Sequence, residues 1–131
     1  MTGYVFRVLP ERLAIARLPP DAPFPDWARG GFVNIARTPG EVSVVCGQSH
    51  VPTHIPHVTD RVALGIEGVL NLGLVGVLAS ICATLARDHI PVFVVSTHDT
   101  DWILIEADRL ASARSALEAA GHRVVGTEPA P

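Results

Sequence analysis

The sequence predicts an α+β fold, antiparallel sheet packed against two amphipathic helices, on three observations. Val62, Leu64 and Ile66 alternate with Arg61, Ala63 and Glu67, the period-two pattern of a strand with one buried face. Leu74, Val77, Leu78, Ile81 and Leu85 then recur at intervals of three and four, which puts them on one face of a helix. Residues 91–125 supply two further strands, a second helix and a closing strand. The order from residue 61 onward is strand, helix, strand, strand, helix, strand. That is the split βαβ, or ferredoxin-like, arrangement, a four-stranded antiparallel sheet with both helices on one face.

Each element has its own justification. Residues 4–9 and 13–18 read as strands around a Pro10-Glu11-Arg12 turn, and Pro19, Pro20, Pro23 and Pro25 force an irregular stretch after them. Residues 26–29 have the length of one helical turn. Residues 32–38 and 41–46 form a hairpin across Pro39-Gly40. Gly68 and Gly73 bracket a connection into the first helix, expected over 74–88 with Ser80, Thr84, Arg87 and Asp88 off its apolar face. Residues 91–95 are apolar throughout and read as an interior strand covered on both sides. Residues 96–100 are a polar turn, and 101–106 pair back. Asp108 is the expected N-cap of a helix running to Ala120, with Leu110 and Leu117 inward and Gly121 ending it. Residues 123–125 are a short last strand.

The expected organisation is a degenerate, helix-poor N-terminal copy of the unit over 1–58, the complete unit over 59–127, and a disordered tail over 128–131. The doubly apolar 92–95 strand needs cover on the face away from the helices, so a homodimer is expected.

Composition excludes several classes. Of 131 residues, 48% are hydrophobic and 18% charged, too apolar for a disordered chain. The net charge is −3, there is no lysine, and the ten arginines are scattered, so no basic patch offers itself to nucleic acid. Residues 68–86 are uncharged, but three glycines and Asn71 interrupt them, which favours a loop and soluble helix over a membrane span. The first residues show no signal-peptide pattern. Cys46 and Cys82 fit no metal or redox spacing and read as reduced core thiols of a cytoplasmic protein.

Chemistry-bearing motifs are few. His50, His54 and His57 are close enough to suggest a three-histidine zinc site and a metal-dependent enzyme. Pro52 and Pro56 prevent a helix that would align them, and the stretch reads better as a solvated loop. His89 and His122 read as surface residues at helix ends. Nucleophile-elbow, dinucleotide-binding and phosphate-loop patterns do not occur, so the chain is expected to be neither an enzyme nor a carrier of a cofactor.

Two stretches resemble the ACT domain family. Val95-Ser96-Thr97-His98-Asp99-Thr100-Asp101-Trp102-Ile103-Leu104 is similar to an ACT signature, and Asn71-Leu72-Gly73-Leu74-Val75-Gly76-Val77-Leu78-Ala79-Ser80-Ile81 to the loop and helix start of the same family. The branch most resembled is the tandem-ACT group that includes the cytosolic arginine sensors of the TORC1 pathway and small bacterial relatives. The Pro-Glu-Arg-Leu-Ala and Leu-Pro-Pro-Asp-Ala segments resemble those bacterial members.

The resemblance implies a non-catalytic regulatory module that holds an amino acid or related metabolite, with Asn71, Gly73, Leu74, Gly76, Thr97, His98 and Asp101 as the ligand-binding residues. The residue types agree with that role. Gly73 and Gly76 permit close backbone approach, helix-start amides receive a carboxylate, and Asp101 receives an ammonium or guanidinium group. The arginine sensors carry an acid at the position of Leu74, so a neutral amino acid is the expected ligand here. A scaffold that keeps the fold without a ligand is the rival reading.

Overall fold

The computed structural model describes residues 3–71 and 73–131, and the chain divides into two compact units. The first comprises the described residues up to Pro10 together with Val62–Glu128; the second comprises Glu11–Arg61 with Pro129–Pro131. The strands are β1 (Val5–Val8), β2 (Leu13–Leu18), β3 (Asn34–Arg37), β4 (Val42–Gly47), β5 (His57–Ile66), β6 (Phe93–Ser96), β7 (Asp101–Glu106) and β8 (Arg123–Val125). The helices are α1 (Val77–Arg87) and α2 (Leu110–Ala119).

In the first unit, β6 pairs antiparallel with β7, β7 pairs with β5, β5 pairs antiparallel with β1, and β1 pairs in parallel with β8. The α+β reading therefore holds, with one strand more than the expected four. That strand is β1, which the sequence reading had grouped with the N-terminal half. Phe6 and Val8 project into one core with Leu64, Ile66, Ile81, Leu85, Ile103, Ile105, Leu117 and Val124. Phe6, Ile81, Ile103 and Leu117 are almost fully buried, and each such side chain stabilises the fold by about 1.5–3 kcal/mol relative to exposure.

Several local expectations are corrected. The first helix starts at Val77 rather than Leu74, because Gly76 before it stands at φ +82 in the left-handed region. Thr84 is buried on α1 and satisfies its hydroxyl by donating to the Ser80 carbonyl at 3.0 Å. Asp108 caps nothing: it lies in a 3-10 turn, Ala107–Arg109, that leads into α2 with no side-chain cap. Gly121 does end α2, at φ +96. β6 pairs with β7 alone among the described strands, and Val92 and Phe93 remain exposed, so it is an edge strand and not the interior one expected. The apolar run signals hydrophobic surface, not which neighbour covers it.

His122 is likewise not a surface residue. It is buried, its Nδ1 accepts the Tyr4 amide at 2.9 Å, and its ring stacks on Tyr4 and meets Phe6 edge-on. Nε2 is buried without a partner among the described residues. Burial lowers the pKa of this imidazole.

The second unit contains no α-helix among its described residues. β2 pairs antiparallel with β4 over six residues, β3 pairs with β4, and the start of β5 pairs with β2 through a bulge near Ala14. Ala14, Ala16, Val42, Val44, Cys46 and Val51 form its core, with Trp27, Ile35 and Ile55 against it. Residues 26–29 make a turn and not a helical turn. Pro129 is buried where disorder was expected, and its carbonyl accepts Arg12 Nε at 3.0 Å. The same guanidinium bonds Asp60 Oδ1 at 2.9 Å, and that hydrogen bond, ahead of those from Gln48 and Thr59, holds the Asp60 carboxyl below its ordinary pKa. Among the described residues no helix is long and apolar enough to cross a membrane.

Candidate functional site

A cavity of about 340 Å³ opens in the first unit between the loop after β5, the first turn of α1 and the β6–β7 turn. The loop is folded locally. Asn71 Oδ1 accepts the Gly73 amide at 2.7 Å and the Asn71 carbonyl accepts the Leu74 amide at 3.0 Å, the short-range bonding that Asn supplies in turns. Gly76 then takes the left-handed conformation that glycine adopts without steric cost. No side chain caps α1, and Ser80 donates to the Gly76 carbonyl at 3.0 Å. The amides of Val77, Leu78 and Ala79 precede that first helical bond and have no intrahelical acceptor. All three residues line the cavity.

The facing loop closes on itself and on the first. The Thr97 amide and hydroxyl both donate to the Thr100 carbonyl, at 2.8 and 3.1 Å. Thr100 Oγ1 donates to the Ile66 carbonyl at 2.9 Å, and the Leu70 amide donates to the Asp99 carbonyl at 2.7 Å. Ser96 Oγ donates to Asp101 Oδ1 at 2.6 Å, across the register pair that opens the β6–β7 ladder. This bond fixes the orientation of the Asp101 carboxylate.

The structure brings Asn71, Leu74, Gly76, Thr97 and Asp101 together around the cavity. It does not bring Gly73 or His98 to the lining. Gly73 shapes the Asn71 turn, and His98 is solvent-exposed with Nδ1 2.9 Å from Asp99 Oδ1. Sequence reasoning missed Leu70, Ser96, Asp99 and Thr100, and the first-turn residues Val77, Leu78 and Ala79, which do line it. Ser96 was recoverable, since a hairpin whose second strand starts at Asp101 after a four-residue turn sets Ser96 opposite it. The lining holds two carboxylates, Asp99 and Asp101, and no Arg, Lys or His. An anionic group entering it would meet backbone amides and neutral polar side chains rather than a cation, and a cation would meet acids.

The other candidates lie elsewhere. His50 and His54 are exposed, whereas His57 begins β5 with its Nδ1 2.6 Å from the Ile55 carbonyl. No group of three His, Cys, Asp or Glu placed to hold a metal ion occurs among the described residues. Cys46 and Cys82 are both free, and burial first of all pushes the Cys46 thiol pKa up, which disfavours the reactive thiolate.

A loop, an uncapped helix start and an adjacent hairpin turn around one cavity agree with the comparison by family. Residues 58–119 match the ACT domain family. A second model, described as an N-terminal domain, matches residues 11–54. Among solved structures, the chain is similar to a structural-genomics protein from Agobacterium tumefaciens: 28% identity, 100% of this chain and 99% of that one covered, TM-score 0.91. It shares the fold of a Vibrio cholerae protein of unknown function described as a possible transport protein, at 15% identity, 89% coverage of both chains and TM-score 0.69. The fold is also that of the regulatory subunit of aspartate kinase from Thermus flavus, at 12% identity, with 92% of this chain and 99% of that one covered and TM-score 0.65. No curated protein matches the chain.

Proposed function

We propose that the chain is a non-catalytic regulatory module whose ACT segment holds a free amino acid in the cavity between α1 and the β6–β7 turn. One observation carries this reading: a carboxylate positioned by Ser96, Asp101, shares the cavity with residues whose helix-start amides lack intrahelical acceptors. A zwitterion needs those two opposed features in one small space. Leu74 and Val77 offer the side chain an apolar wall, which favours a neutral residue.

A second reading of the specificity rests on Asp99. It adds a carboxylate that favours a cationic side chain, and among the described residues its side-chain partner is the exposed His98. The module is proposed to act as a cytoplasmic homodimer. The exposed β6 edge with Val92 and Phe93 is the surface a second copy would cover, and the two free thiols suit a reducing compartment. The unit without an α-helix, matched over 11–54, is proposed as the degenerate copy of the ACT unit.

The test is a melting screen across the amino acids with the parent chain and Asp101→Ala. A ligand at a hundred times its Kd adds about 2.7 kcal/mol of apparent stability, which for a domain of this size raises Tm by roughly 8–16 °C. The expected result is a shift with one or more neutral amino acids, lost in Asp101→Ala with the unliganded Tm preserved. A response to arginine that Asp99→Asn removes selects the second reading. No response to any amino acid leaves a scaffold.

A further inference from the structure

The second unit carries a hollow of its own, of about 310 Å³, lined by Asp26, Trp27, Arg29 and His50. Neither the ACT match at 58–119 nor the cavity beside α1 includes any of these residues.

Trp27 is partly buried and the other three are exposed. Asp26 and Arg29 are three residues apart and opposite in charge, yet their side chains form no ion pair: Arg29 Nε donates to the Asp26 backbone carbonyl at 3.1 Å. That leaves the other guanidinium nitrogens and the whole Asp26 carboxylate without a partner among the described residues. His50, at the end of the 3-10 turn Gln48–His50, also has both ring nitrogens unengaged among them. Trp27 is half-buried against the core of Ala14, Ala16 and Val44, and it also forms part of the hollow's lining.

The backbone of the walls is held in place before any ligand arrives, while the Asp26, Arg29 and His50 side chains are exposed. Glu11 Oε1 accepts the Gly31 amide at 2.8 Å, and the Arg29 carbonyl accepts the Gly47 amide at 2.8 Å. The turn bearing Trp27 and Arg29 is thereby tied to the strand end that leads to His50. Gly30 stands at φ +126, and a Cβ there would lie 2.7 Å from Glu11 Oε1; a Cβ on Gly47 would overlap Oε2 of the same carboxylate. The glycines let the two backbones close around Glu11. A preorganised site loses less free energy on binding than one that must first be ordered.

We infer that this hollow is a second small-molecule site, one that takes a zwitterionic amino acid with an apolar or aromatic side chain. The ligand carboxylate pairs with the free guanidinium nitrogens of Arg29 and with His50. Its ammonium pairs with Asp26, and its side chain packs on the Trp27 indole. Opposite charges that do not satisfy each other bind a molecule carrying both, whereas a simple anion meets repulsion from Asp26 and a simple amine meets Arg29.

The probe is L-phenylalanine, titrated into the ¹⁵N-labelled full chain while the Trp27 indole N–H resonance is followed. Trp27→Phe assigns that resonance against Trp102. The expected result is a saturable shift of the Trp27 signal that Arg29→Gln and Asp26→Asn each weaken at least tenfold and Asp101→Ala leaves unchanged. That last comparison separates this site from the cavity beside α1. Benzoate and phenethylamine, each carrying half of the recognised charge, are expected to bind at least tenfold more weakly than phenylalanine. No shift at millimolar phenylalanine overturns the inference, as does a shift that survives Arg29→Gln or vanishes in Asp101→Ala. Benzoate binding as tightly as phenylalanine overturns the zwitterion assignment.

Discussion

Gly76→Ala separates backbone conformation from packing at the start of α1. Gly76 stands at φ +82, and a Cβ built on it meets no atom of the described residues within 4 Å, so among them the substitution introduces no clash and only the left-handed conformation is penalised. For an alanine that penalty is about 1–2 kcal/mol. At this chain length about 1 kcal/mol corresponds to a Tm change of roughly 3–6 °C, so a drop of several degrees is expected by calorimetry. Asn tolerates this region better than most residues, so Gly76→Asn should lose less than Gly76→Ala, and Gly76→Val should lose more than either. Gly73→Ala is the internal control. Gly73 is not in the left-handed region, and among the described residues its added Cβ would meet Asn71 Oδ1, at 3.2 Å. If Gly76→Ala melts with the parent, or if Gly73→Ala costs as much, the loop does not enter α1 as described and the positions of the helix-start amides fall with it.

Two further predictions concern the first unit. Because burial lowers the His122 pKa, the unfolded chain takes up a proton that the folded chain resists; stability from this group is complete above pH ~6.5 and lost as pH falls below it. Protonation would also set a second N–H against the Tyr4 amide. Tm measured from pH 8 to 5 should therefore decline more steeply for the parent than for His122→Phe, and parallel curves would refute this. Gly65→Ala drives a methyl group into the Trp102 indole and should cost about 1–3 kcal/mol by denaturant titration; Trp102→Leu should recover part of that in a double-mutant cycle, and strict additivity would count against the contact.

What was legible in the sequence follows from the range of the forces involved. β2, β7 and β8 run over the residues expected, because alternation and turn residues encode a strand locally. The choice of neighbour is not local. Nothing within residues 4–9 states that Phe6 faces Ile66 in register or that β8 lies in parallel on the other side. His122 looks polar and terminal in its own segment, and only the Tyr4 amide, 118 positions away, explains its burial. Thr84 breaks the helical pattern because its hydroxyl finds an acceptor one turn back, at Ser80. The candidate site divides along the same line. Asn71, Leu74, Gly76, Thr97 and Asp101 came from two contiguous stretches, whereas the bond from the Leu70 amide to the Asp99 carbonyl joins them across the fold.

That bond bears on ligand specificity. From the sequence, the absence of an acid at Leu74 left one carboxylate, Asp101, and hence one place for a cation. The hydrogen bond draws the turn over the loop and adds Asp99 to the lining, so the cavity has two acids and no basic side chain. Two carboxylates lining one small space offer two places for a cation. On the proposed reading, the ammonium of a neutral amino acid serves one of them. The other then depends on His98, whose Nδ1 lies 2.9 Å from Asp99 Oδ1 and whose ring is otherwise in solvent. While His98 holds Asp99 the cavity suits an apolar side chain, whereas a basic side chain would have to take that carboxylate from His98. On the proposed reading, the preference between neutral and basic amino acids therefore depends on the contact between Asp99 and His98, a residue outside the cavity wall.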